Sequence, residues 1–149
     1  MLETPHVLVG AAIAAKIPNP YLAIPLSLGS HFVLDILPHW NPHINREIKK
    51  YGKPTQQSVS IIAGDSSLAL MSGLLIAFSN PNPWLILTSC FVAVLPDLVE
   101  APYYFLGKKT LIVEKWIQWQ KSIQNDVEML PGLLSQIVIA LGAILWIFT

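Results

Sequence analysis

Charge is scarce in this chain. Of its 149 residues only 12% are Asp, Glu, Lys or Arg, and nine basic residues balance nine acidic ones to a net charge of zero. Soluble domains carry about 25% charged residues, so half that share cannot dress an aqueous surface of ordinary polarity. The neutral balance excludes a basic nucleic-acid binder, and 53% hydrophobic residues exclude a disordered chain. Cysteine is nearly absent too. Cys90 stands alone in an apolar run, which excludes an intramolecular disulfide and leaves the redox compartment unmarked. The composition is that of an integral membrane protein, and the length accommodates one domain.

What is present is segregated. Eight of the nine Lys/Arg residues fall within 40–58 and 107–130, while the apolar stretches 21–38, 59–79, 84–106 and 131–148 hold none. About 20 mostly apolar residues cross the hydrocarbon core, and these four stretches are near that length. A fifth, 5–17, is short for a full span; it reads as a thin span, a re-entrant segment or a half-helix packed inside the bundle. The N-terminus holds Glu3 and no basic residue before Lys16, which does not fit a signal peptide. It reads as part of the mature fold. Basic loops face the cytoplasm, which puts 40–58, 107–130 and the N-terminus inside and the turn Ser79–Pro83 outside.

Turn chemistry sets the boundaries. Pro18 and Pro20 end the first helix, Pro38 and Pro42 the second, and Asn80–Pro83 form a tight hairpin. The reading is all-α: a bundle of about four transmembrane helices with a short N-terminal helix and an interfacial one. The helices are expected at about 5–17, 21–38, 57–79, 83–106, 110–127 and 130–148. Gly10/Ala14, Ala11/Ala15 and the series Ser58, Asp65, Ser72, Ser79 form small or polar stripes that allow close helix approach. In 110–127, Ile112, Trp116, Trp119, Ile123 and Val127 share one face, as in an amphipathic helix lying at the cytoplasmic interface.

Against this background the buried-segment acids stand out. Asp35, Asp65, Asp97 and Glu100 lie in apolar segments that contain no Lys or Arg, accompanied by His6, His31 and, just past the second helix, His39. A central Asp costs about 2.5–3.5 kcal/mol on insertion scales. Four acids without basic partners call for protonation, a water-filled cavity or a metal cation. The expected topology brings all seven ionisable residues to the cytoplasmic side with overlapping depth. His31 and Asp35 stand four residues apart on one helix face, and Asp97 and Glu100 three apart, after Pro96. Imidazoles and carboxylates without thiolates suit Zn²⁺, Mn²⁺ or Fe²⁺. Glu3 reads as an N-terminal turn acid, His43 as a solvated loop residue, and Asp126 and Glu128 as the solvated side of the interfacial helix. Tyr103, Tyr104 and Trp84 read as interfacial anchors.

Thr4-Pro5-His6 with Gly10, then His31-xxx-Asp35-xx-Pro38-His39, an acid in the next span and Leu95-Pro96-Asp97 resemble the YdjM-like membrane-bound metal-dependent hydrolases. That family is similar in its His/Asp pattern to zinc-dependent phospholipase C and P1-type nucleases, where His-xxx-Asp on a helix helps bind catalytic zinc. The resemblance covers most of 4–100. It implies His6, His31, Asp35, Asp65 and Asp97 as metal ligands and His39 and Glu100 as ligands or acid/base groups. It further implies a divalent metal, zinc before manganese or iron, and hydrolysis of a phosphoester of a lipid or other small membrane-proximal molecule. The bilayer is the expected partner and the cell membrane the expected location. A proton- or ion-coupled transporter using the same carboxylates, and a non-catalytic membrane scaffold, are the competing classes.

Overall fold

A computed structural model describes residues 1–149, and its regular structure is helical: α1 (Glu3–Lys16), α2 (Pro20–Ile36), α3 (Ile44–Tyr51), α4 (Gln56–Phe78), α5 (Pro83–Leu98), α6 (Ala101–Leu106), α7 (Leu111–Ile123) and α8 (Met129–Phe148). The helix starts follow local chemistry. Asn19, Thr55, Asn82 and Thr110 each accept a hydrogen bond from a backbone N–H in the turn that follows, satisfying donors that have no partner within the helix. Pro20 and Pro83 take the first helical position, where no N–H is needed.

The stretch 83–106, expected to be one helix, divides in two. Pro102 has no N–H to offer Leu98, and its ring would collide with the Leu98 carbonyl in a continuous helix. The chain therefore turns at Val99–Glu100 and restarts as α6. A further difference is α3, formed within the basic loop 40–58 and closed by Gly52 at φ 77°, a left-handed conformation suited to glycine.

At the centre lies α1, packed against α2, α4, α5 and α8. The stretch 5–17 is thus a short helix inside the bundle. Its 14 residues rise about 21 Å, well short of a ~30 Å hydrocarbon core. Small residues let its neighbours close in: a Cβ on Gly10 would stand 2.9 Å from both the Ala93 Cβ and the Ser89 carbonyl oxygen of α5.

Two helices, α4 with 23 residues and α8 with 20, are long and apolar enough to cross a membrane. The other two expected spans are shorter: α2 has 17 residues and α5 has 16, or about 24–26 Å. Apolar side chains cover much of the outside while several polar ones are enclosed. Leu70, Met71, Leu75 and Phe78 of α4 and Leu130, Val138 and Leu145 of α8 face outward, while His6, Ser27, His31, Asp35, Ser89 and Gln136 are buried. Outward apolar side chains over satisfied helical backbone suit a hydrocarbon surrounding.

The polar stripe of α4 serves varied contacts. Ser58 donates to Glu47 of α3 and Asp65 binds the start of α1, whereas the exposed Ser72 bonds back to its own helix at Leu68. The two basic segments share one end of the bundle. Ile44 and Asn45 of α3 and Lys121 of α7 line the same cavity as Asp97.

Candidate metal centre

Three helices meet at a buried group of His6, His31 and Asp35, whose ligand atoms all lie within 4.8 Å of one another. All three residues are 0% exposed. His31 and Asp35 are stacked one turn apart on α2, and His31 Nε2 stands 3.4 Å from Asp35 Oδ2. His6 enters from α1, its Nε2 3.5 Å from Asp35 Oδ1 and its ring stacked on that of His31 at 4.1 Å between centroids. From α5, the Ala93 carbonyl accepts a hydrogen bond from His31 Nδ1 at 2.7 Å. That bond puts the proton on Nδ1 and leaves Nε2 as an acceptor, near Asp35 and paired with the Gln120 amide.

The donor set fits a cation. Neither nitrogen of His6 has a hydrogen-bond partner although the side chain is fully enclosed. Such an orphaned group costs about 1–3 kcal/mol unless something else satisfies it. Asp35 Oδ1 accepts a hydrogen bond from the Met1 nitrogen. Two imidazoles and one carboxylate are the ligand types of catalytic zinc sites and of non-haem iron sites.

The remaining candidates spread outward from this group. Asp97 lies outside the set but beside it, its Oδ1 3.7 Å from His31 Nε2. Asp65 is turned toward the start of α1, where its carboxylate accepts hydrogen bonds from the Glu3 and Thr4 amides and the Thr4 hydroxyl. It completes the helix N-terminus with negative charge, as the backbone dipoles favour. His39 is also apart from the set. Its Nδ1 donates to the Leu37 carbonyl, and its backbone pairs with Asn125 and Val127 as an isolated parallel bridge. Burial lowers the pKa of His39, so it stays neutral.

Glu100 sits in the turn between α5 and α6, on the wall of a cavity of about 310 Å³ that Asp97, Asp65, Met1 and Gln124 also line. Burial, reinforced by the nearby Asp97 charge, pushes the Glu100 carboxyl up to about 7. Two residues of the cavity wall contact the enclosed His/Asp group: Asp97 lies beside His31, and Gln124 donates to Asp35 Oδ2 at 3.4 Å.

The chain matches no family model, no curated protein and no solved structure.

Several contributors were not legible in the sequence. Gln120 of α7 is buried and donates through Nε2 to Asp97 Oδ1 and to His31 Nε2 at 3.1 Å. The amphipathic pattern had marked the Trp116–Trp119 face of α7. In the structure the Trp116 indole donates to the Pro96 carbonyl, and both tryptophans meet Phe32 of α2 edge-on. These contacts lay α7 over the site and aim Gln120 inward, while Ile112 points away. Glu3 is more than a turn acid, since its Oε2 is buried without a partner and it lines the cavity. Asp126 and His43 are solvent-accessible as expected, and they face each other at 3.4 Å on the cavity rim. Tyr104, expected as an anchor, accepts from Asn45 at 2.9 Å and lines the same wall.

Proposed function

We propose that this chain is a membrane-embedded metal-dependent hydrolase acting on a phosphoester of a lipid or other membrane-proximal molecule. The observation that carries the reading is the enclosed His6–His31–Asp35 group with both nitrogens of His6 unpartnered. A divalent cation held there, zinc before manganese or iron, supplies Lewis acidity toward a phosphoryl oxygen and acidifies water. His6, His31 and Asp35 hold it. The Ala93 carbonyl fixes the His31 tautomer, and Asp97, beside His31, is placed to add a carboxylate from α5.

Glu100 supplies proton traffic. Its carboxyl lies on the cavity wall close to Asp97, placed to take up and return a proton as a general base. Lys121 brings a positive charge to the same wall, matching an anionic substrate. The family resemblance of the His/Asp series points to the same reaction class.

In this reading α2 and α5 cross the bilayer with α4 and α8, surrounding α1, and the end bearing α3, α7 and the site faces the cytoplasm. The clustering of basic residues at that end supports the orientation.

Metal analysis of the detergent-purified full chain tests the proposal. Near-stoichiometric zinc or manganese is expected, with loss in His6→Ala, His31→Ala and Asp35→Ala. Metal-free protein whose thermal stability is unchanged by those substitutions would leave a scaffold and refute the metal reading.

A further inference from the structure

A second cavity of about 290 Å³ runs between α4 and α5 with α1 as its floor. Its character is unlike that of the polar cavity. Nine of its twelve lining residues are hydrophobic, and the polar ones are Glu3 and Ser66 at one end and Gly73 at a point of close approach. The two cavities share Glu3, Ser66 and Leu98 as a common wall. The groove therefore adjoins the polar cavity, whose wall includes Asp97, the neighbour of His31.

The groove follows the helix axes. On α4 it extends from Ser66 to Leu74 and on α5 from Leu98 to Leu87, or about 12 Å and about 16 Å at 1.5 Å per residue. Ala69 and Gly73 make it concave: a Cβ on Gly73 would already stand 3.2 Å from Val7 Cγ1 of α1. Leu70 and Phe91 line it yet remain exposed, so the groove opens sideways to whatever surrounds the bundle. A peptide lying there would find almost no partners for its amides, at a cost of several kcal/mol each in an apolar setting. A hydrocarbon chain has no such groups.

We propose that this groove holds the acyl chain of a lipid phosphoester whose head group lies in the adjoining polar cavity. The inference rests on the reading of the site as a metal-dependent phosphoesterase and narrows its substrate to a lipid with one chain inserted sideways from the bilayer. Leu87 and Val94 line the tail's path on α5, while Glu3, Ser66 and Leu98 mark the junction between tail and head.

The test uses the zinc-loaded full chain in lipid nanodiscs and n-alkyl phosphonates of one to six carbons, measured by titration calorimetry. The dissociation constant is expected to fall about fourfold per added methylene, the yield of burying one CH₂. In Leu87→Trp and in Val94→Trp the series should be flat at the methylphosphonate value, with zinc stoichiometry retained as the mark of a folded site. A flat series in the unmodified chain overturns the groove assignment and leaves the metal reading standing. An undiminished slope in both tryptophan variants assigns the chain-length effect to bulk lipid and overturns it equally. Zinc-loaded protein that binds no phosphonate of any length refutes the phosphoesterase reading, and this inference with it.

Discussion

Replacing Gly10 by alanine probes how closely the proposed metal site depends on helix spacing. A Cβ at position 10 would stand 2.9 Å from the Ala93 Cβ and from the Ser89 carbonyl oxygen. Carbon contacts settle at about 3.5–4.0 Å, so α1 and α5 must part by roughly 0.6–1 Å. The Ser89 oxygen belongs to helical backbone and has no rotamer by which to yield. Overpacking of this kind costs about 1–3 kcal/mol, and alanine's better helix propensity returns about 1 kcal/mol. The net loss of stability is therefore modest, about 0–2 kcal/mol.

The site should suffer more. His6 moves with α1, whereas the Ala93 carbonyl that orients His31 moves with α5. Metal–ligand distances tolerate only about 0.2 Å, so the variant should bind zinc at least about tenfold more weakly. Zinc affinity by chelator competition and thermal denaturation in excess chelator separate the two effects. Wild-type zinc affinity in Gly10→Ala would refute the claim that α1–α5 spacing sets the donor geometry.

Asp65→Ala removes the acceptor for the Glu3 and Thr4 amides and should cost about 1.5–3 kcal/mol in thermal or denaturant unfolding. Asp65→Asn should cost less and keep stoichiometric zinc, since Asp65 lies outside the His6–His31–Asp35 group; loss of zinc in the asparagine variant would make Asp65 a ligand. Glu47 gives a pH dependence. Burial would raise its pKa, but hydrogen bonds from Ser58 and from the Thr55 amide and hydroxyl outweigh it and hold the carboxyl below its ordinary 4.5. A carboxylate with a lowered native pKa stabilises the fold above the unfolded value, and that stability disappears as pH falls through the native value. Unfolding at pH 7 and at successively lower pH should thus show a loss below about 4.5 that is smaller in Glu47→Gln; parallel profiles would contradict the sign.

Much of the architecture follows from local chemistry and was legible residue by residue. Scarce charge and long apolar stretches require helices that satisfy their own backbone in a hydrocarbon setting. Pro18, Pro20 and the Asn80–Pro83 turn marked helix boundaries, and the i, i+4 spacing of His31 and Asp35 placed two donors on one face before any packing was known. Less legible was Pro102, because the apolar run continues through it and hydropathy does not register a missing N–H.

Tertiary structure decided the rest. Whether His6 meets His31 depends on α1 lying at the centre of the bundle, which small residues such as Gly10 permit and no local pattern announces. Asp65 and Asp35 look alike in sequence, as lone acids among apolar neighbours. Packing turns one to the amides at the start of α1 and the other to two imidazoles. Gln120 enters the site because Trp116 and Trp119 seat α7 against Pro96 and Phe32. The sequence by itself determined which polar groups stand among apolar neighbours and need partners, since that cost belongs to each side chain. Only the tertiary structure decided which partners they find, since a partner's position depends on every helix between them.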